Sequence, residues 1–260
     1  MSTHLSSRVA LITGGGTGIG AAIAHDLAKE GVAVVISGRR NEVVEETATA
    51  IRDAGGRALA VSGDVRRADD ARAMVAATVE TFGALHILVN NAGIARGGPV
   101  DAATEDDIDA LFDINVKGPI HMMRAALTQL RGHRERGGAS VVNISSSVTQ
   151  TVLANYSIYT ATKAAVDQLT RCWALDHAAD RIRINAVLPG LIRTPIFDTM
   201  MDAEAVSTWL DTADRITPLG RIGQGDDIAR MVRFLVDPAN DWITGGLFTI
   251  DGGISTAGNV

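Results

Sequence analysis

Short apolar runs alternate along this chain with longer amphipathic stretches, and that alternation limits the fold more than any other feature. The runs occupy residues 9–13, 32–37, 58–61, 85–89, 139–144, 182–187 and 247–250. Between them, residues 21–30, 42–54, 69–82 and 156–179 carry helical patterning, and a loop and a long helical region follow residue 89. Continuous apolar runs of four to six residues suit strands covered on both faces, as in a parallel sheet. The pattern predicts a single-domain, doubly wound (Rossmann-like) α/β fold over residues 1–260. Its sheet would be mostly parallel and seven-stranded, with helices on both faces. From about 191 to 225 the βα rhythm breaks, and a substrate-loop insert is expected there.

Composition removes several classes of function. With 46% hydrophobic residues the chain can bury a substantial core, so disorder is excluded as the dominant state. Twenty-four basic against 30 acidic residues give a net charge of −6, without the basic excess of a nucleic-acid binder. A single cysteine, Cys172, excludes an intramolecular disulfide and a cysteine metal cage, and its expected role is that of a small buried hydrophobe. The six histidines show no metal-ligand spacing, so no metal is expected. No apolar run approaches the ~18 residues of a membrane span, and the polar start lacks a signal-peptide layout. A cytoplasmic location follows as the expectation. The five acids between Asp101 and Asp109 read as the first turn of a helix capped by Thr104.

Glycine is the informative excess, at 27 residues, and the glycines gather at junctions. Between the first run and the first helix stands Thr13-Gly14-Gly15-Gly16-Thr17-Gly18-Ile19-Gly20. Such a turn lets backbone N–H groups approach a pyrophosphate, with the positive end of the helix aimed at the same anion. The spacing Gly14-x-x-x-Gly18-x-Gly20 meets the commoner GxGxxG/A pattern only loosely, through Gly16, Gly18 and Ala21.

Tyr159-Thr-Ala-Thr-Lys163 opens a helix after a serine-rich turn. Residues i and i+4 share a helix face, so the ammonium can lie near the phenol and lower a pKa that is ~10 unperturbed. A tyrosine so placed can act as a general acid or base near neutral pH. Tyr156 lacks a lysine four residues on. Asn143 and Asn185 lie within strand runs and read as structural.

The glycine turn, Asn90-Asn91-Ala92-Gly93, Asn115, a serine thirteen residues before Tyr159, Lys163 and Pro189-Gly190 occur in this order. The set resembles the short-chain dehydrogenase/reductase family over essentially the full chain. The resemblance implies hydride transfer between a nicotinamide cofactor and a carbonyl/alcohol pair. Tyr159 would exchange the proton, and Lys163 would depress its pKa and hold the nicotinamide ribose. Ser146 would orient the carbonyl, with Ser145 and Ser147 as rival hydroxyls, and Asn115 would support a water relay behind the lysine. Gly14, Thr17, Gly18, Ile19 and Gly20 would lie against the cofactor. Asp64 and Val65 correspond to the adenine-binding segment, and Asn90, Asn91, Ala92 and Gly93 to the turn at the adenine ribose. Pro189, Gly190, Ile192 and Thr194 correspond to the segment beside the carboxamide.

After the second run comes Ser37-Gly38-Arg39-Arg40, with glycine where an NAD-preferring site commonly carries an acid. Arginine's planar fork can bind a 2′-phosphate, so Arg39, the better placed by the resemblance, and Arg40, which could equally be a solvated helix-start charge, predict NADP(H) over NAD(H), although relatives with an arginine here use either. Leu153, Tyr156, Ile196, Met200, Met201 and Trp209 would form a mainly apolar substrate pocket, with helical packing of Met201 and Trp209 as the other reading. A ketone or secondary alcohol with a sizeable apolar part is therefore expected. A sugar or polyol dehydrogenase, a 3-oxoacyl-carrier-protein reductase and a non-catalytic dinucleotide sensor are the alternatives. Family resemblance alone implies a homotetramer.

Overall fold

The computed structural model describes residues 5–134, 138–195 and 203–257. Among them, seven strands form one sheet: β1 (Val9–Thr13), β2 (Ala33–Gly38), β3 (Ala58–Ser62), β4 (Ile87–Asn90), β5 (Ala139–Ile144), β6 (Ile182–Pro189) and β7 (Leu247–Ile250). Their order is β3-β2-β1-β4-β5-β6-β7, and every neighbouring pair is parallel. The helices are α1 (Gly18–Lys29), α2 (Asn41–Asp53), α3 (Ala68–Phe82), α4 (Glu105–Phe112), α5 (Gly118–Arg131), α6 (Ser157–Asp176), α7 (Ala203–Ile216) and α8 (Gly225–Val236). This is the doubly wound α/β class that the sequence pattern predicts.

The unbroken apolar runs follow from burial on both faces. Ala10, Ile12, Val34, Ile36 and Val89 join a core with Ile23 and Leu27 of α1, Ile51 of α2 and Val232 of α8. Their strand neighbours Leu11, Val35 and Leu88 point the other way, onto Met74 of α3, Met122 and Ala126 of α5 and Ala174 of α6. A strand between two helical layers has no wet face, so polar alternation would leave unsatisfied groups inside. Strand order reverses between β1 and β4, where a crevice opens at the carboxyl ends of the strands.

Two features differ from the sequence expectation. The insert after β6 holds a fourteen-residue helix, α7, with Ala213 fully buried, rather than loop alone. The long helical region after β4 is interrupted: α4 passes into a π-helical turn at Asp113–Lys117 before α5 begins. Pro119 in the first turn of α5 has no N–H to donate, which favours a local change of ladder there. Thr104 caps α4 as expected, accepting from the Asp107 N–H at 3.1 Å.

Cys172 is corrected: it is exposed on α6. The buried stripe of that helix runs through Thr162, Lys163, Val166, Asp167, Thr170 and Ala174, and position 172 falls off it. No helix among the described residues is long and apolar enough to cross a membrane, and none of their side chains group as a metal site.

Asn143 ties the sheet to α6: its Oδ1 accepts from Asn90 Nδ2 and its Nδ2 donates to Thr170 Oγ1, both at 2.8 Å. Asn143→Ala would strand the buried Asn90 amide, and urea denaturation should show a loss of about 1–3 kcal/mol. A loss below about 0.5 kcal/mol would mean the bridge is energetically idle.

Candidate active site

The crevice is a cavity of ≈ 1040 Å³ that runs from the glycine turn past β5 to α7 and the C-terminal segment. Its first wall is the turn between β1 and α1. Gly14 and Gly18 take left-handed backbone angles, φ +63° and +55°, which L side chains rarely adopt. Thr17 precedes α1 without a side-chain cap, and the first turn of α1 carries no acid. The leading N–H groups of that helix are therefore left for an anion in the cavity. Gly20 is not on the wall; a Cβ there would overlap the Gly14 carbonyl, so its smallness serves packing.

The second wall follows β4, and here the two asparagines divide their work. Asn91 donates through Nδ2 to the Thr13 and Gly14 carbonyls at 2.9 and 3.0 Å. Thr13 Oγ1 in turn accepts from the Asn91 and Ala92 amides at 3.0 and 3.1 Å. These bonds lock the glycine turn to the end of β4. Asn91, Ala92 and Gly93 line the cavity, while Asn90 is buried behind them against Asn143. Asn90 thus reads as sheet structure, and its side chain does not face a ligand.

The third wall holds Tyr159, Lys163 and the serine-rich turn. Tyr159 and Lys163 lie one turn apart on α6, and Lys163 Nζ stands 5.9 Å from the Tyr159 ring centroid. Ser146 caps the short turn after β5, its Oγ accepting from the Val148 N–H at 3.4 Å, and its hydroxyl favours ionisation of the Tyr159 phenol. Ser145 donates to the Lys163 carbonyl at 3.3 Å, and all three serines are buried residues on the cavity wall. Of the three serine hydroxyls, it is that of Ser146 that acts on the phenol. Lys163 Nζ donates to the Ile144 carbonyl at 3.0 Å. Asn115, in the π turn, sits behind the lysine: it exchanges two 2.9 Å bonds with the Ile94 backbone and donates to Thr162 Oγ1 at 3.1 Å. A Cβ on Gly93 would come within 3.3 Å of Asn115 Oδ1 and 3.4 Å of Lys163 Nζ, so glycine keeps this corner open.

Electrostatics correct one sequence expectation. The Tyr159 phenol is pushed up, not down: burial dominates, the Ser146 hydroxyl opposes it, and Tyr156 adds to it. Lys163 does not offset this, because its own charge is burdened. Burial lowers Lys163 to about 8, and the Asp167 carboxylate one turn on only partly restores it. Asp167 is itself raised by burial, which outweighs the lowering influence of Ser145, Thr149, Arg171 and Lys163 beside it.

At the far end, Gly38, Arg39, Arg40, Asp64 and Val65 line the cavity. Asp64 is raised by burial but held below its usual value overall by Arg66, with a smaller pull from Arg39. Pro189, Gly190, Ile192 and Thr194 line it from β6, and Thr194 Cγ2 would lie 3.0 Å from a Cβ on Gly18. Leu153, Tyr156 and Trp209 line the opposite recess. Ile196, Met200 and Met201 lie outside the described residues. Sequence reasoning missed Thr13, Thr162 and the lining pair Ile254 and Ser255. Thr162 was open to detection, since it lies between Tyr159 and Lys163 and shares their helix face; Ile254 and Ser255 gave no local signal.

Residues 14–255 match the family model described as enoyl-(acyl carrier protein) reductase. The chain belongs to the short-chain dehydrogenase/reductase family. It is 35% identical over 255 residues to a cyclohexanol dehydrogenase of Acinetobacter sp., covering 97% of this chain and 96% of that one. Among solved structures, it resembles a 3-ketoacyl-(acyl-carrier-protein) reductase of Brucella melitensis complexed with NADH, with a TM-score of 0.88 and 33% identity over 96% of this chain and 99% of that one. A gluconate 5-dehydrogenase of Burkholderia cenocepacia, in complex with NADP and tartrate, gives 0.87 and 35%, covering 96% of each chain. The family and its named members make this chain an oxidoreductase acting on the CH–OH/C=O pair.

The lysine supplies a stability test. Below about pH 8 Lys163 is protonated folded or unfolded; between about 8 and its ordinary 10.5 the unfolded chain holds more protons, so its contribution grows with pH. The melting temperature of wild type relative to Lys163→Met should be flat below pH 8 and rise between 8 and 10.5. A flat difference throughout would show the ammonium to be solvated.

Proposed function

We propose that this protein is an NADP(H)-dependent reductase and dehydrogenase of uncharged ketones and secondary alcohols, with Tyr159 as the general acid/base. The observation that carries this reading is the cluster of Ser146, Tyr159 and Lys163 between the glycine turn and an apolar recess. Bound nicotinamide would supply the hydride; positioning and proton handling fall to the protein. The uncapped start of α1, with the left-handed glycines before it, fits a pyrophosphate. Pro189, Gly190, Ile192 and Thr194 suit the carboxamide side, and Asp64, Val65, Asn91, Ala92 and Gly93 the adenosine side.

Ser146 and Tyr159 would both hydrogen-bond a substrate oxygen placed beside them. Burial keeps the phenol protonated near neutral pH, the form able to donate. Lys163 would hold a ribose hydroxyl and, as a cation, stabilise phenolate when the proton leaves. Asn115 fixes the Ile94 backbone and Thr162 behind that lysine, which suits support of a proton path. A non-catalytic sensor would need none of this.

Arg39 and Arg40 both line the cavity beside Gly38, with no acid at that position. A charge-assisted bond is worth about 1.5–3 kcal/mol, so one arginine–phosphate contact gives roughly a ten- to hundredfold preference. In the recess around Leu153, Tyr156 and Trp209, the described lining side chains carry no charge. That favours neutral, largely apolar substrates, as cyclohexanol is for the Acinetobacter relative, over gluconate-like or carrier-bound ones. Residues 1–260 are read as one domain acting in the cytoplasm. A homotetramer is the proposed assembly, consistent with Leu175 and Trp242, exposed at 81% and 97%.

The test is a panel of alicyclic ketones, sugars and 3-oxoacyl thioesters assayed with both nicotinamide cofactors. Alicyclic ketones with NADPH should be turned over best, and Arg39→Ala should raise the KM for NADPH by about tenfold or more with little change for NADH. Preference for NADH, or equal loss with both, would overturn the phosphate reading; turnover confined to sugars or thioesters would overturn the substrate class.

A further inference from the structure

Asp64 is more tightly prepared than a lone acid at a cavity edge needs to be. Its backbone N–H donates to Asp70 Oδ2 at 2.9 Å, which anchors the residue to the start of α3. Its carboxylate is claimed by a single neighbour. Arg66 donates from Nε at 2.8 Å and Nη2 at 2.5 Å to Oδ2, and from its backbone N–H at 3.0 Å to Oδ1. Asp64 lines the cavity and Arg66 does not. Asp64 is largely sheltered at 15% side-chain exposure, whereas Arg66 stands outside at 42%. The division is unequal: Oδ2 takes both guanidinium bonds, and Oδ1 takes one backbone bond. A carboxylate oxygen accepts two bonds, so Oδ1 keeps a lone pair for a ligand donor.

We propose that Arg66 is a positioning residue for base recognition: it fixes the Asp64 carboxylate so that Oδ1 accepts from the exocyclic amino group of adenine. The inference rests on the reading that the adenine end of the cofactor lies at Asp64. Arg66 touches neither cofactor nor substrate in this scheme. Its part is to hold one rotamer and to keep the acid ionised in a half-sheltered place, where burial alone would favour the neutral form. A protonated or rotated acid would not distinguish an amino group from a carbonyl at the same position of the base. Arg39 adds a weaker pull of the same sign.

The test measures binding, not turnover. NADPH and NADH are each compared with the counterpart in which hypoxanthine replaces adenine, using the fluorescence of the reduced nicotinamide. Wild type should favour adenine by about tenfold or more, as one hydrogen bond to a charged acceptor allows. Asp64→Ala should abolish that preference. Arg66→Ala, an exposed change that leaves the core untouched, should narrow it by about threefold or more. It should do so for both cofactor pairs, unlike Arg39→Ala, whose effect should follow the 2′-phosphate. As pH falls, the Arg66→Ala preference should also fade sooner than that of wild type, because the unpaired acid protonates earlier. If Arg66→Ala weakens adenine and hypoxanthine forms by one factor, or neither, the positioning role is overturned while Asp64 stands. If wild type and Asp64→Ala both fail to discriminate the bases, the reading of Asp64 is wrong and the inference falls with it.

Discussion

Parallel strands cannot be joined by a tight turn, and the site depends on that constraint. Each strand must be followed by a crossover that returns to the opposite end of the sheet, so the loops at the carboxyl ends all gather on one edge. The glycine turn after β1, Arg39 after β2, Asp64 after β3, Asn91 after β4, Ser146 after β5 and Gly190 after β6 thereby meet around one cavity. The reversal of strand order between β1 and β4 sends neighbouring crossovers to opposite faces and leaves the crevice between them. Thr13 and Asn91 then close the reversal with hydrogen bonds, so the two loops flanking it behave as one piece.

Burial sets the protonation balance of the α6 wall. A phenol, an ammonium and a carboxyl share one face of α6 at Tyr159, Lys163 and Asp167, and all three are shifted toward their neutral forms. Solvent exclusion therefore acts on both members of the Tyr159–Lys163 pair. Asn115 completes the wall from a π turn, a distortion that lets one side chain hold both the N–H and the C=O of Ile94.

The sheet was legible in the sequence because burial on two faces leaves an uninterrupted apolar run at each strand. Tyr159, Lys163 and Ser146 were legible because residue spacing on a helix, or to a marked tyrosine, survives as a pattern. Other features arise only in three dimensions. Asn90 and Asn91 are adjacent letters, yet Asn90 ends β4 in the Asn143 network while Asn91, just past the strand, reaches the glycine turn. The upward shift of Tyr159 depends on how deeply α6 docks, and Cys172 differs from its buried neighbours only by its angle on the helix. Arg66 is one of two consecutive arginines beside Asp64, and nothing in the sequence says which one pairs with it.

In the proposed mechanism the phenol of Tyr159 passes the proton in a cavity whose cofactor end is separately built. Tyr159→Phe keeps the ring and removes only the hydroxyl, so the most direct measurement is turnover and NADPH binding on that one variant. A fall in kcat of about 10²–10⁴-fold with NADPH affinity nearly unchanged is expected. Retention of more than about a tenth of wild-type turnover would contradict it, since general acid/base catalysis is worth far more than that.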